Sequence, residues 1–230
     1  MAALIEDSAY FGVTISLLSY GIGWLLNKKT GMAVCNPLLI SIVLTISALA
    51  VMRTDYATYY SGAQYLSWLL TPATVCLAVP LYEKLALLKS DWRAITAGIV
   101  SGVLSSLLCV FLLSMAFGLG HADYVTFLPK SVTTAIGIGI SEELGGNVNL
   151  TAAVIIITGV LGNILAPLIC GIFRITEPVA KGIAIGTAAH AVGTAKAMEM
   201  GETEGAMSSL SIAVSGILTV VGASVFAQFY

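Results

Sequence analysis

The stretch "LPKSVTTAIGIGISEELGG", Leu128 to Gly146, breaks the pattern of the chain around it. Pro129 and Lys130 open it, and the hydroxyls of Ser131, Thr133 and Thr134 follow. Glycine then alternates with isoleucine through Gly137 and Gly139, and two acids precede Gly145 and Gly146. Proline is favourable in the first turn of a helix, where its missing N–H would have been unsatisfied anyway. The stretch therefore predicts a helix that begins inside it. An uninterrupted membrane anchor or a soluble amphipathic helix would not be written this way.

The solvent of the flanking segments follows from composition. The chain has 230 residues, 58% hydrophobic and 10% charged, with a mean hydropathy of +0.97. A soluble domain carries roughly 25% charged residues, so an integral membrane protein is expected, with the lipid bilayer as its main environment. The net charge of −2 and the lack of a basic patch interleaved with aromatics exclude a nucleic-acid partner. Cys35, Cys76, Cys109 and Cys170 lie singly in apolar stretches without CxxC spacing, which argues against zinc and redox roles. The opening "MAALIEDSAY" has two acids and no Lys or Arg, so the first apolar run is expected to be a retained span rather than a cleaved signal.

A bilayer core takes about 20 apolar residues as a helix. Clear candidates run over 8–26, 35–52, 92–118, 149–173 and 204–228. Two more segments are interrupted: 64–83 by Pro72 and Pro80, and 182–199 by Gly186, His190 and Gly193. The continuous runs do not alternate as a β-barrel would. The expected fold is an all-α polytopic bundle of about six to eight membrane segments with broken or re-entrant helices. It forms a single transmembrane domain over 1–230, and the rhyme of "ITAGIVSGVLSS" with "SIAVSGILTVVGAS" suggests repeats over 8–118 and 128–228. If 128–146 dips in and returns, Lys28, Lys29, Lys84, Lys89, Arg93, Arg174 and Lys181 fall on one side and only Arg53 on the other. The positive-inside rule thus favours a re-entrant segment with the N-terminus outside.

Two constellations carry chemistry. Lysine at the membrane centre costs about 2.5–3.5 kcal/mol on insertion scales. Lys130 either marks the interface and snorkels into headgroups or binds something. A helix N-terminus inside the membrane offers free N–H groups and partial positive charge. Joined by Lys130, Ser131, Thr133 and Thr134, it suits a small anion. The second constellation is "GIAIGTAAHAVGTAKAMEM", Gly182 to Met200. On a helix, Thr187, His190 and Thr194 share a face, with Gly186 and Gly193 overlapping it. Lys196 follows. The alternatives are an interhelical hydrogen bond for His190, an ion pair with Glu199 for Lys196, and close helix packing for the glycines. Two Gly-interrupted segments bearing hydroxyls and basic groups are what a transporter's midplane site looks like in sequence.

The stretches "PATVCLAVPLYE" (Pro72–Glu83), "LPKSVTT" (Leu128–Thr134), "GTAAHAVGTAKA" (Gly186–Ala197) and "EGAMSSL" (Glu204–Leu210) resemble the LrgB/CidB-like membrane proteins. Homologues of that family include the C-terminal part of the plant plastid glycolate/glycerate translocator. The resemblance runs from about Asn36 to the C-terminus. One departure is Ala135, where the family pattern would place a second proline; Gly137 would then serve as the break. The resemblance implies a multi-pass protein of a cell membrane, the bacterial inner membrane above all, assembling as a homo-oligomer. It implies one of two functions. One is transport of small carboxylates such as glycolate, glycerate or pyruvate by alternating access, with Ser131, Thr133 and Thr187 bonding the substrate and His190 coupling a proton. The other is antiholin-like modulation of murein hydrolase export and lysis, with a holin-like LrgA/CidA partner. The Lys-His-hydroxyl chemistry favours the first. No HExxH motif, catalytic cysteine pair or Ser-His-Asp spacing points to an enzyme, and no cofactor or metal is expected.

Overall fold

The computed structural model of the chain describes residues 10–30, 35–76 and 78–230. Every regular element among them is helical. Among the described residues, three helices are long and apolar enough to cross a membrane: Trp92–Phe117, Val148–Ile172 and the run Glu202–Phe229. The protein is an all-α membrane helical bundle. Its contacts divide it into two compact units, Met1–Cys76 and Leu77–Tyr230.

The first unit contains α1 (Phe11–Thr30), α2 (Pro37–Met52), α3 (Tyr56–Ser67) and α4 (Leu70–Cys76). The expected span 8–26 corresponds to α1, with residues 8 and 9 outside the described residues. The 35–52 span is a shorter apolar helix of 16 residues. Asn36 starts α2 by accepting the Leu38 amide at 2.9 Å, with Pro37 at the first helical position. Asp55 caps α3 by accepting the Thr58 amide at 3.3 Å. Hydrogen bonding by the Thr58 side chain, and then by the backbone amides of this turn, holds its carboxyl below the usual aspartate range. Pro72 stands in α4, exposed.

The second unit opens with two short helices, α5 (Ala78–Glu83), which holds Pro80, and α6 (Leu85–Ser90). The interrupted segment 64–83 is therefore a succession of short helices rather than one span. Then come α7 (Trp92–Phe117), α8 (His121–Phe127), α9 (Thr134–Glu143), α10 (Val148–Ile172), α11 (Pro178–Met200) and α12 (Glu202–Phe226). Alongside an apolar core that includes Ile99, Leu107 and Leu128, polar side chains are buried between helices. In α12, Ser208, Ser211, Ser215 and Thr219 are buried while Ile217, Val221 and Val225 are exposed. With hydrocarbon outside there is little hydrophobic force between helices, so small and hydroxyl-bearing faces pack together.

Residues 121–147 form a hairpin. The Asn147 amide donates to Thr126 Oγ1 at 2.8 Å, and Thr151 Oγ1 donates to the Thr126 carbonyl at 3.0 Å. The chain thus leaves α8, turns at 128–133, and returns along α9 to the level of Thr126. The ten residues of α9, at about 1.5 Å each, cover half a hydrocarbon core.

Residues 178–201 form a second hairpin. His190 has φ 43° and ψ −142° and breaks α11 in two. A Cβ on Gly193 would lie 3.1 Å from Ile185 Cγ2 and 2.5 Å from Ala189 Cβ. In a straight helix, residues 185 and 193 would be about 12 Å apart. The arms also run opposite ways along α12. Gly182 and Gly186 meet Glu204 and Ser208 in parallel order, whereas Thr194 and Met198 meet Ser208 and Gly205 in reverse order.

The two hairpins enter from opposite ends. The Trp92 end gathers Arg93, Lys84 with Glu202 at 3.2 Å, and Lys181 with Glu204 at 4.0 Å. The other end is packed with aromatics: Tyr124 and Tyr230 have ring centroids 4.9 Å apart, and Tyr230 donates to the Ser114 carbonyl at 3.1 Å. Each hairpin is followed by a long span, and the two pairs correspond. Ala135, Gly137, Glu143 and Gly145 of "TAIGIGISEELG" recur at matching positions as Ala191, Gly193, Glu199 and Gly201 of "HAVGTAKAMEMG". Their contacts are reciprocal. Ile136 of the first hairpin packs on Gly216 of α12, 2.9 Å from where a Cβ would be, and Val192 of the second packs on Gly159 of α10 at 3.0 Å. This inverted correspondence lies inside the expected second half, 128–228.

Candidate functional site

Both hairpin tips reach the middle of the second unit. Lys130 Nζ donates to Ser131 Oγ at 2.8 Å and to Ser106 Oγ at 3.3 Å, and the two hydroxyls are 3.1 Å apart. Ser106 sits near the midpoint of α7. Lys130 is half-buried, Ser131 buried and Pro129 fully enclosed. No described carboxylate lies within ion-pair range of Lys130. The side-chain partners that the described residues give this ammonium are two neutral hydroxyls.

The helix after this turn begins at Thr134, with Thr133 at its N-cap and no side-chain capping bond. Its first amides therefore lack an intrahelical partner. The break precedes Thr133 and does not involve Gly137, which lies buried inside α9. A Cβ there would stand 2.3 Å from Ile155 Cδ1, so Gly137 is a packing glycine. Pro129 does serve the turn: its carbonyl accepts the Val132 amide at 3.3 Å.

At the other tip, His190 is buried and its Nε2 lies 3.0 Å from the Ile155 carbonyl of α10. A carbonyl only accepts, so Nε2 carries the hydrogen and Nδ1 is the nitrogen left to gain or lose one. The tip is held further by Asn163 Nδ2 donating to the Val192 carbonyl at 2.8 Å, and by Thr194 Oγ1 bonding Ser208 Oγ at 2.6 Å. Thr194 also donates to the His190 carbonyl at 3.0 Å or shares its hydrogen with Ser208. The expected common face of Thr187, His190 and Thr194 is not that of one helix, because the fold-back at His190 ends the helical period there. Thr187 lies on the entering arm against Gly102 of α7, its hydroxyl donating to the Ile183 carbonyl at 2.8 Å. Thr194 lies on the returning arm.

Gly186 and Gly193 are not the break either. Gly186 faces the Ser208 backbone, where a Cβ would lie 2.4 Å from the carbonyl, and Gly193 lets the two arms touch. Lys196 is apart from the tips and pairs with Glu199 at 2.8 Å. Ile155 of α10 touches both hairpins: its carbonyl meets His190 Nε2, and its Cδ1 packs on Gly137 of the first. The structure thus brings the turn of Lys130, Ser131, Thr133 and Thr134 and the tip at His190 toward one region, flanked by Thr187, and leaves Lys196 in its pair with Glu199. Ser106, Asn163 and the Ile155 carbonyl were not singled out in sequence. Each is an ordinary residue inside a long apolar span, and only the folding-back of the hairpins gives it a role.

A cleft of about 600 Å³ runs along α7 and the entering arm of the second hairpin. Its lining passes from Ala94 and Glu177 at the Trp92 end to Ser105 and Thr187 beside the tips. Among the described residues no three His, Cys, Asp or Glu converge as metal ligands would.

Comparison with known sequences places residues 16–229 within the LrgB-like family. The chain belongs to that family. It is 41% identical over 221 residues to the antiholin-like protein LrgB of Bacillus cereus (strain B4264), covering 96% of each chain. The antiholin-like protein LrgB of Bacillus anthracis (strain CDC 684 / NRRL 3495) matches with the same identity and coverage. No solved structure matches. Of the two functions the resemblance implied, the names of these relatives agree with the antiholin-like one.

Proposed function

We propose that this LrgB-like protein transports small carboxylates across a bacterial plasma membrane by alternating access, and is not an enzyme. The observation that carries this reading is the convergence of two oppositely entering hairpins beside Lys130, whose ammonium has no carboxylate within ion-pair range among the described residues. Broken helices that converge near the bilayer centre, with N-terminal ends turned to an anion, are the recurring design of secondary transporters. A substrate carboxylate at Lys130 would offset the cost of holding that charge in the membrane, about 2.5–3.5 kcal/mol on insertion scales. Ser131, Thr133 and the first amides of α9 supply donors for its oxygens. Thr187, whose own hydrogen is engaged, accepts from a 2-hydroxyl. The cleft from Ala94 to Thr187 supports access from the Trp92 end, while the aromatic packing around Tyr124 and Tyr230 supports closure of the other.

The relatives' name favours a second reading. In it the chain modulates murein hydrolase export and lysis as an antiholin-like protein, working with an LrgA/CidA-like membrane subunit and as a homo-oligomer. Measuring labelled carboxylate uptake and lysis rate in the same cells separates the two. Loss of uptake in Lys130→Met supports transport. A variant that alters lysis while uptake never exceeds that of cells without the protein rejects it.

A further inference from the structure

We infer that a groove at the Trp92 end of the second unit binds the phosphate headgroup of an anionic phospholipid. The groove has a volume of about 460 Å³ and lies between the end of α10 and the base of the second hairpin. Arg174, Thr176 and Lys181 supply its polar wall, and Pro167, Cys170 and Met200 an apolar one. Arg174 forms no ion pair with any described acid, and Lys181 reaches Glu204 only at 4.0 Å. The other acids of this end include Glu177 at the N-cap of α11, Asp91 at the N-cap of α7, and Glu202, which pairs with Lys84.

The chemistry selects the ligand. A guanidinium presents a planar fork of donors that matches two phosphate oxygens, and a nearby ammonium adds charge without demanding geometry. A hydroxyl completes a phosphodiester site. The position selects the source. The groove sits where a 25-residue apolar helix ends, which is headgroup level for a helix that crosses the bilayer. On that end of α10, Leu168, Ile172 and Phe173 are exposed by 59%, 65% and 72% and offer a surface for acyl chains. Basic pockets between membrane helices take anionic lipids for this combination of reasons. A soluble phosphate would leave the apolar wall and these side chains unused.

The site touches both arms of the second hairpin, Lys181 where it enters and Met200 where it returns. A bound lipid therefore braces the base of the element whose tip carries His190. This inference stands whichever function the tips serve.

The test uses the purified full chain in detergent, with native mass spectrometry and thermal unfolding in phosphatidylglycerol, phosphatidylcholine or glycerol 3-phosphate. Phosphatidylglycerol is expected to stay bound and raise the Tm, and phosphatidylcholine to do neither. Arg174→Gln with Lys181→Gln is expected to weaken phosphatidylglycerol binding by about tenfold, while Lys28→Gln with Lys29→Gln leaves it unchanged. Equal effects of the two lipids overturn the proposal. So does unchanged phosphatidylglycerol binding in the Arg174/Lys181 variant. Stabilisation by glycerol 3-phosphate as large as that by lipid shows a soluble-phosphate site instead. If the double variant does not fold, the two-lipid comparison on the unaltered chain decides.

Discussion

Lys130 Nζ lies 3.3 Å from the hydroxyl of Ser106, near the middle of α7, and 2.8 Å from that of Ser131. A charged hydrogen bond contributes about 1.5–3 kcal/mol, so Lys130→Met is expected to weaken carboxylate affinity by roughly 10- to 100-fold. Because Met keeps length and apolarity, its Tm should not fall. Ser106→Ala should lose only a few-fold, since one neutral donor goes. Concentration-dependent uptake measures both. Normal uptake by Lys130→Met would make Lys130 a snorkelling residue.

His190→Gln keeps a donor for the Ile155 carbonyl but cannot titrate. A protonated imidazole beside a carboxylate is favoured by the opposite charge. If the two bind together, carboxylate affinity weakens as pH rises through the site's titration. The variant should flatten that dependence between pH 6 and 8, where a carboxyl of pKa about 3.3–3.7 is already ionised. A wild-type pH profile in His190→Gln would leave the imidazole with only its interhelical hydrogen bond.

The hairpins make a labelling experiment decisive for topology. In a background without Cys35, Cys76, Cys109 and Cys170, single cysteines at Asp123 and Asn147 should react with an impermeant reagent from one side of the membrane. Cysteines at Glu177 and Glu202 should react from the other. Opposite-side labelling within either pair would show a full crossing.

The reciprocal glycine contacts differ in how much their partners can yield. A Cβ on Gly159 meets His190 Cε1 at 2.7 Å and Val192 Cβ at 3.0 Å, both fixed by the hairpin tip. A Cβ on Gly216 meets only the terminal Cδ1 of Ile136, at 2.9 Å. Overpacking a tight site costs about 1–3 kcal/mol, so Gly159→Ala should lower the Tm clearly and Gly216→Ala much less. Thermal unfolding of the purified variants checks this, and equal losses would contradict it.

The spans and the interrupted segments were legible because hydropathy and proline or glycine content act locally. Lys130 was legible for the same reason, as a costly charge in an apolar run. The fold-back at His190 was not. Nothing in "TAAHAVG" forbids a continuous helix, and a positive φ at a histidine is a conformation that only tertiary contacts enforce. Helical spacing then put Thr187 and Thr194 on one face, when they lie on opposite arms. Gly137, Gly186 and Gly193 read as breaks because sequence does not distinguish a flexible glycine from one that makes room for a neighbour. The repeat was hidden for a related reason: "TAIGIGISEELG" and "HAVGTAKAMEMG" share only small and terminal positions, and the contacts of Ile136 and Val192 reveal the correspondence.

Uptake of labelled glycolate or pyruvate into proteoliposomes holding the purified chain, alone and with an LrgA/CidA-like subunit, tests carboxylate transport most directly. The expected result is saturable uptake that unlabelled small carboxylates compete away, that Lys130→Met abolishes, and that leaves a larger trapped dye inside. No saturable uptake in either preparation would contradict the account, as would dye release in step with carboxylate entry.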